Sequence, residues 1–374
     1  MKYTGVYWLG PVYDMGGYGN VSRNFLRAFE SIGIPVFIHS IGPEHQEIGE
    51  STIKWIKNLS SNQIGDRVVF IRHGLAELFQ VSFAVPHVVK NIGVTLFETD
   101  RLPEGWASFA NLMDEVWVPS RFNYDTFSKS GVSPEKLKVV PYGIDVTKYS
   151  PGRPCKKLAF PSSVNSFVFL YVFGFDYRKG YDLLIKAFCD EFSPAEDVSL
   201  LLKVYTHSDI DPEFALSEIQ SHIPPERCPS QIAIIPEPYS EEDLIALYQN
   251  CDVYISMDRA AGWGMPVMEA MALGKPVIAL RWGGSTEFMN ETNSFLIETE
   301  EALVPVDAKL QAARPRYYLH HQWADVKIEK VRQVMREAYV NKKRREQLAK
   351  KAAADIHQYY SPARIGTIIK KLLS

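Results

Sequence analysis

The chain has 374 residues, a formal net charge of −3, 46% apolar residues and 23% charged residues. This length exceeds what one hydrophobic core usually holds, so we expect two domains of ordinary size. The slightly acidic balance argues against a general nucleic-acid-binding protein, which needs a clustered basic excess.

The cysteines and the N-terminal segment indicate the cellular compartment. The four cysteines are Cys155, Cys189, Cys228 and Cys251. Because they lack the C-x-x-C spacing of a zinc or redox site, we expect them to be reduced thiols. The first residues, MKYTGVYWLG, lack the apolar core and cleavage site of a signal peptide, and no run is long enough to span a bilayer. We therefore predict a cytoplasmic protein. The basic run at residues 341–351 favours a solvated helix face and leaves peripheral contact with the inner face of a membrane open.

A strand, a glycine-rich turn and a helix open the chain. Residues 4–9 predict the strand, Gly17 and Gly19 follow it, and a helical pattern comes next. Such a turn presents backbone N–H groups to a phosphate. A dinucleotide fingerprint is disfavoured because Ser22 stands where its third glycine would be and no acidic residue ends the next strand. A plain tight turn is the alternative interpretation.

Further strands, predicted at residues 67–71, 91–97 and 115–118, alternate with helical segments. This alternation is typical of a parallel sheet. The polar residues that follow these strands are candidates for binding a second substrate: His73, Glu98, Thr99 and Asp100. A helix cap or a hydrogen-bonded structural role is the favoured alternative for residues of this type.

A proline-rich stretch at residues 149–166 predicts a linker, and a new strand begins at residue 167. Arg178 and Lys179 then lie at the start of a helical pattern, beside its positive end. Cations are disfavoured there unless an anion binds as well. The pattern therefore predicts an anion site, with plain solvent exposure of both side chains as the alternative.

Residues 252–288 carry the strongest functional signal. Two short apolar strands, 252–256 and 275–280, flank one helix, with Pro266 in its first turn and a glycine just past its end. The loop 260–265 therefore delivers free N–H groups and a positive helix end to the mouth of a parallel sheet. Glu269 is placed to accept hydrogen bonds from a ribose diol. A second glycine-rich turn at residues 283–285 is expected to open another helix, so the pattern predicts a site for a phosphorylated, sugar-bearing ligand.

The C-terminal third carries less chemistry. His320 and His321 are adjacent but have no third ligand nearby in the sequence, so we favour a surface pair over a metal site. Residues 325–356 are strongly helical, and a last helical pattern runs over residues 362–374.

The segment AAGWGMPVMEAMALGKPVIA resembles the signature of the family 4 retaining glycosyltransferases, in which a Glu, a Gly-aromatic-Gly and a second Glu follow one another. Glu269 matches the second Glu, which holds the nucleotide ribose in that family. Ala261 stands where the first Glu, which contacts the donor sugar, would be. The resemblance implies that backbone groups near phosphate or sugar come from Gly262, Trp263, Gly264, Met265 and Val267, with Pro238 near the base.

The same resemblance assigns the remaining site residues. Lys179 and Arg178 would clamp the donor diphosphate as catalytic cations, and Gly17 and Gly19 would approach it from the first domain. On the acceptor side, the run that contains Glu98 and Asp100 resembles a Glu-Thr-Asp found in a subset of that family, whereas His73 is a candidate because it follows a predicted strand. The donor would be a UDP- or GDP-linked sugar, the acceptor a glycan, a lipid-linked or a small molecule, and configuration would be retained. No cofactor or metal is implied, and the sequence offers no Asp-x-Asp pair to bind one.

The expected fold class is α/β of the GT-B type, with two Rossmann-like doubly wound domains and a cleft between them. We expect residues 1–155 on the acceptor side and 156–361 on the donor side, with the helix at 362–374 packing back on the first domain. The main alternative is a transfer-deficient subunit that binds nucleotide or sugar, because Ala261 replaces a family Glu. A nucleotide-sugar epimerase lacks support because no pair of cleft acids is evident.

Overall fold

The computed structural model describes residues 2–42, 45, 48–156, 158, 167–206, 210–225 and 231–374. The chain divides into two compact units, Met1–Thr147 with His357–Ser374, and Lys148–Ile356. The domain boundaries predicted from the sequence were residues 155 and 361. Cys228 and half of the predicted linker, residues 157 and 159–166, lie outside the described residues.

The first unit is a parallel sheet whose strands are joined by helices. Its elements in chain order are β1 (Gly5–Gly10), α1 (Gly17–Ser31), β2 (Val36–Ser40), α2 (Glu50–Ser60), β3 (Val68–His73), β4 (Val88–Val94), α3 (Trp106–Asn111), β5 (Glu115–Val118), α4 (Arg121–Lys129) and β6 (Leu137–Val139). The strand order is β2-β1-β3-β4-β5-β6. Every residue of β3 is buried, which explains why its first four residues, Val68 to Ile71, form a continuous apolar run rather than an alternating one.

The second unit repeats this plan with another strand order. Its elements are β7 (Phe167–Gly174), α5 (Tyr181–Glu191), β8 (Val198–Tyr205), α6 (Pro212–Gln220), β9 (Ile232–Ile235), α7 (Glu241–Gln249), β10 (Val253–Ser256), α8 (Met265–Ala272), β11 (Val277–Leu280), β12 (Phe295–Ile297), β13 (Val304–Pro305), α9 (Ala308–Ala313), α10 (Pro315–Tyr318), β14 (Gln322–Trp323), α11 (Ile328–Val340) and α12 (Lys342–Tyr359). The main sheet runs β12-β11-β10-β7-β8-β9, with all pairs parallel. This is the doubly wound order of a dinucleotide-binding sheet.

The last helix, α13 (Pro362–Leu372), returns to the first unit. It packs on α1, where a Cβ at Gly366 would lie 2.7 Å from the carbonyl oxygen of Ala28. The backbone N–H of Ile144 also donates to the carbonyl oxygen of Tyr360 at 2.9 Å. Glycine at 366 therefore allows the two helix backbones to approach closely.

Two predictions from the sequence are wrong in the structure. The glycine-rich turn at 283 leads only into a single 3₁₀ turn, Gly284–Glu287, and not into a full helix. The histidine pair is not a surface pair, because His321 is 5% exposed and packs on the Tyr318 ring. None of the helices in the described part of the chain is both long and apolar enough to cross a membrane.

Candidate functional site

The second sheet changes direction between β7 and β10, which lie side by side although β8 and β9 separate them in sequence. Ligands of doubly wound sheets bind beyond the carboxyl ends of the strands at such a switch point. Two helices, α5 and α8, begin there because each follows one of these two strands. Of the donor residues predicted on this unit, Arg178, Lys179 and residues 262–264 lie in the two connecting loops. Met265, Val267 and Glu269 lie in α8, and Pro238 lies in the loop between β9 and α7.

The helix starts at this edge of the sheet differ in how their N–H groups are satisfied. The outer helices, α6 and α7, are capped by the side chains of Asp211 and Ser240, which accept backbone N–H bonds. The two central helices, α5 and α8, follow Gly180 and Gly264 and have no side-chain cap. The first N–H groups of a helix have no partner within the helix, so an uncapped start is suited to an anion.

The turn before α5 presents Lys179. It is a short 3₁₀ turn, Tyr177–Lys179, in which the backbone N–H of Arg178 donates to the Asp176 side chain. Gly180 ends the turn with φ +60°, and a Cβ there would lie 2.3 Å from the carbonyl oxygen of Met257. Only glycine combines that backbone angle with that close approach.

Lys179 meets an acidic partner from the neighbouring loop. Its Nζ lies 2.9 Å from Asp258 Oδ1, and both side chains are largely buried. The Tyr171 hydroxyl lies 2.9 Å from the same carboxylate oxygen and 2.7 Å from the carbonyl oxygen of Lys179. Burial lowers the pKa of Lys179, while Asp258 acts in the opposite direction and favours the ammonium form. The result is a positioned cation at the switch point.

Arg178 and Arg259 connect the loop before α5 with the loop before α8. Arg178 Nη1 donates to the carbonyl oxygen of Ala260 at 3.0 Å, and its Nε lies 3.7 Å from Asp176. Arg259 holds Asp182 in α5 with two bonds of 2.8 Å each. The sequence interpretation missed Arg259, although its place beside Asp258 was a usable signal. The bidentate pair neutralises the only acid in the first turn of α5.

The loop before α8 is locked against the second glycine-rich turn. The N–H of Gly284 donates to the carbonyl oxygen of Ala261 at 2.7 Å. A Cβ at Gly284 would lie 1.8 Å from the carbonyl oxygen of Gly262, so glycine is required there. Trp263 is 2% exposed and packs on Phe288 with ring centroids 5.0 Å apart. Gly264, with φ +97°, then turns the chain into α8, where Met265 and Val267 are also buried.

Glu269 lies in α8 and is 3% exposed. Its Oε2 accepts a hydrogen bond of 2.9 Å from the Tyr248 hydroxyl, which comes from α7. Burial raises the pKa of Glu269 to about 7, against the lowering effect of the Tyr248 bond. Nothing in the sequence pattern identified Tyr248 as its partner. Pro238, the predicted base contact, is exposed in the loop between β9 and α7.

Gly17 and Gly19, the two glycines of the first unit that were predicted to bind phosphate, differ in how closely other atoms approach them. A Cβ at Gly17 would meet nothing within 4 Å, whereas one at Gly19 would lie 1.9 Å from the carbonyl oxygen of Asp14. The fold therefore requires glycine at 19, in keeping with a tight turn. It does not require glycine at 17, which leaves ligand approach as a reason for that residue.

The predicted acceptor-side residues are spread over the carboxyl edge of the first sheet. His73 is fully buried, and its Nδ1 lies 2.7 Å from the Ser22 hydroxyl. Burial lowers the pKa of His73 to about 3, so the imidazole is neutral at physiological pH. Asp100 accepts a bond of 2.9 Å from Arg101, and Glu98 is half-buried in the same loop. The buried, hydrogen-bonded position of His73 fits a structural role better than a role in binding the acceptor. The assignments of His73, Glu98 and Asp100 to the acceptor side stay predictions.

Comparison with known proteins identifies a matching family model. Residues 166–310 match the family model described as Glycosyl transferases group 1. This segment contains Lys179, the loop before α8 and Glu269.

Curated relatives are similar over part of their length. The D-inositol 3-phosphate glycosyltransferase of Acidothermus cellulolyticus is 24% identical over 258 residues, covering 65% of this chain and 53% of that protein. The protein of the same name from Corynebacterium glutamicum is 29% identical over 157 residues, covering 40% and 37%. The chain thus spans about half, or less, of the length of these relatives.

Solved structures are similar over nearly the whole chain. Anabaena Alr3699/HepE in complex with UDP and glucose has a TM-score of 0.66 at 16% identity, with 99% of each chain covered. A glycosyltransferase from Rickettsia africae has a TM-score of 0.71 at 13% identity, covering 100% of this chain and 98% of that one. Together with the sheet orders, these matches confirm the predicted fold class, α/β of the GT-B type with two Rossmann-like units.

Proposed function

We propose that this protein is a glycosyltransferase that binds a nucleotide-diphosphate sugar at the carboxyl edge of its second sheet. One observation carries the proposal. The two helix starts at the switch point have no side-chain cap, and the ammonium of Lys179, from the turn before α5, is held by Asp258 from the loop before α8. An uncapped pair of helix starts beside a fixed cation fits a diphosphate better than it fits a neutral ligand.

Each end of the donor has a counterpart in this unit. Glu269 accepts hydrogen bonds from the ribose diol, and the loop containing Pro238 faces the base. Backbone groups of residues 262–267 contact the phosphate or the sugar. Lys179 supplies the charge for the diphosphate, and Arg178 stiffens the loop that carries it. The assignment of Gly17 and Gly19 to phosphate binding rests on the family resemblance.

Sugar transfer requires a nucleoside diphosphate to leave the anomeric carbon. Negative charge then grows on the phosphate while positive charge grows on the sugar ring. Lys179 and the start of α8 stabilise this separation more strongly than the ground state, which lowers the barrier. Retention follows if the departing phosphate oxygen takes the acceptor's proton on the same face of the sugar. Transfer by this route needs neither a divalent metal nor a separate enzyme base.

The comparisons suggest which substrates to try first. The Anabaena neighbour has been solved with UDP-glucose, which supports UDP-glucose as the first donor probe. The curated relatives are named for D-inositol 3-phosphate, which makes a phosphorylated polyol the first small acceptor to test. Glycan and lipid-linked acceptors follow.

The direct test is sugar release from radiolabelled UDP-glucose and GDP-glucose with each acceptor class. Lys179→Gln keeps an amide donor for Asp258 but removes the charge, so turnover should fall about 10²- to 10³-fold. Lys186→Gln, which changes an exposed lysine of α5 paired with Asp190, should leave turnover unchanged. Near-normal turnover in Lys179→Gln would contradict the assigned role.

The transfer-deficient alternative is tested in the same assay with Ala261→Glu. Activity in the natural chain supports the transferase. Nucleotide binding without turnover, with turnover appearing only in Ala261→Glu, would favour the binding subunit.

A further inference from the structure

A buried lysine at the end of β8 has no role in the diphosphate site. Lys203 is 0% exposed and lies on the strand next to β7. Its Nζ donates to the carbonyl oxygens of Val204 at 3.2 Å and Ile235 at 3.5 Å. These are long bonds for an ammonium group, which has three donors.

Two aromatic rings cover this cation. Nζ lies 4.0 Å from the Tyr205 ring centroid and 5.2 Å from that of Tyr239. No carboxylate among the described residues forms an ion pair with it, and Glu237 attracts it only from a longer distance. Burial lowers the pKa of Lys203 to about 8, so the amine is still mainly charged at pH 7. A fully buried charge without an acidic partner is unusual and costly.

The position of Lys203 links it to the nucleotide. Ile235 ends β9 and leads into the loop that holds Pro238, to which the proposed function assigns the base. Tyr205 lies close enough to Glu269 for that carboxylate to raise its pKa, after the larger effect of burial. Lys203 therefore lies beside the start of the loop assigned to the base, on the strand whose last residue, Tyr205, is near Glu269.

We propose that Lys203 recognises the base through a keto oxygen, O4 of uracil or O6 of guanine. An ammonium group is only a donor, so it pairs with a carbonyl oxygen and not with the amino group that cytosine or adenine carries at the same position. The specificity of the site follows from that asymmetry, because a mismatched base leaves the buried ammonium without its acceptor. This inference rests on the proposed function and adds the base class to it.

The cover over Lys203 is also suited to a base. Tyr239 is only half-buried, and Pro236, Glu237 and Pro238 before it are exposed. Lys203 has no exposed surface, so the Tyr239 ring must turn aside before the polar edge of a base reaches Nζ. Stacking of the base on that ring is favourable for every base. Stacking supplies affinity without selectivity, whereas the ammonium supplies the selectivity.

UDP and CDP provide the test pair, because they differ only at the N3–C4 edge of the pyrimidine, where uracil presents N3–H and O4 and cytosine presents N3 and an amino group. Calorimetric titration should show UDP binding at least about tenfold more tightly than CDP, the effect of one charge-assisted hydrogen bond. If the protein takes purines, GDP should be preferred over ADP in the same way. Equal affinities within the pair would overturn the inference while leaving the proposed function intact.

A variant tests the residue itself. Lys203→Met keeps the shape and apolar stem, and replacing a buried charge by an apolar side chain is commonly tolerated. The variant should bind UDP and CDP equally, whereas the matched surface variant Lys186→Met should keep the preference. A preference retained in Lys203→Met would overturn the assignment. Failure of all four nucleotides to bind the natural chain would refute the proposed function, and this inference with it.

Discussion

Replacing Glu269 by Gln should stabilise the protein at pH 8 and weaken nucleotide binding at the same pH. The folded-state pKa of Glu269, about 7, lies above its ordinary value of 4.5 because the group is buried. The uncharged form is therefore favoured in the folded chain. Its contribution to stability is fully present below pH 4.5 and is lost as the pH rises to 7 and beyond.

The size of this effect follows from the shift. Each pKa unit corresponds to about 1.4 kcal/mol, so the change from 4.5 to about 7 corresponds to about 3 kcal/mol of stability lost by pH 8. Glu269→Gln removes the charge and keeps an acceptor for the Tyr248 hydroxyl. The variant should gain most of that energy at pH 8 and little at pH 4.5. Urea unfolding of both proteins at the two pH values measures the difference.

Binding should show the opposite dependence on pH. A ribose diol donates to the carboxylate form, and at pH 6 only about a tenth of Glu269 is ionised. Affinity for UDP-glucose should therefore rise about tenfold between pH 6 and pH 8, with release of a proton on binding below pH 7. UDP-glucose is preferred to UDP because it has no terminal phosphate that titrates near pH 6.

Titration calorimetry in buffers of different ionisation enthalpy measures the affinity and the proton release together. Tyr248→Phe removes the bond that favours the carboxylate, so the midpoint of the pH dependence should move upward. Glu269→Gln should bind weakly at every pH. The account would be refuted if Glu269→Gln bound UDP-glucose normally, or if its gain in stability were the same at pH 4.5 and pH 8.

Three further substitutions separate structural from ligand-related roles. Gly180→Ala should destabilise the second unit by about 1–3 kcal/mol and lower turnover, because a Cβ would lie 2.3 Å from the Met257 carbonyl oxygen at a positive φ. Gly17→Ala should leave stability unchanged, because its Cβ meets nothing, yet should lower turnover if a phosphate approaches that backbone. His73→Asn should cost about 1–3 kcal/mol of stability through loss of the Ser22 bond. The pH profile of kcat should show no histidine limb between pH 5 and 8, because His73 stays neutral there.

Unfolding curves and steady-state kinetics of the same preparations provide the controls. A stable Gly180→Ala with full turnover would show that the turn does not position Lys179. A destabilised Gly17→Ala would remove the argument that its glycine serves a ligand. A kcat profile with a limb near pH 6.5 that disappears in His73→Asn would restore His73 as a reacting group.

Most strands could be predicted from the sequence because parallel strands buried on both faces are continuous apolar runs. The predicted strand at residues 115–118 coincides with β5, and β10 and β11 lie within the two predicted strands around α8. The second glycine-rich turn was mistaken for a helix start. Its glycines are there because another loop packs on them, which no local pattern reveals.

The site residues that belong to one local motif could be predicted from the sequence. The contacts between residues from different strands and helices could not. Glu269 and Lys179 each belong to a local motif. The pairing of Lys179 with Asp258 requires β7 and β10 to be neighbours, and the sequence does not encode that adjacency locally. The contacts of Tyr248 with Glu269 and of Lys203 with the base loop likewise join different strands and helices.

A crystal structure of the protein with UDP-glucose tests the central claim most directly. The account predicts the diphosphate beside Lys179 and the first turn of α8, with both ribose hydroxyls on the carboxylate of Glu269. Nucleotide bound away from the carboxyl ends of β7 and β10, with Glu269 still contacting only Tyr248, would contradict it.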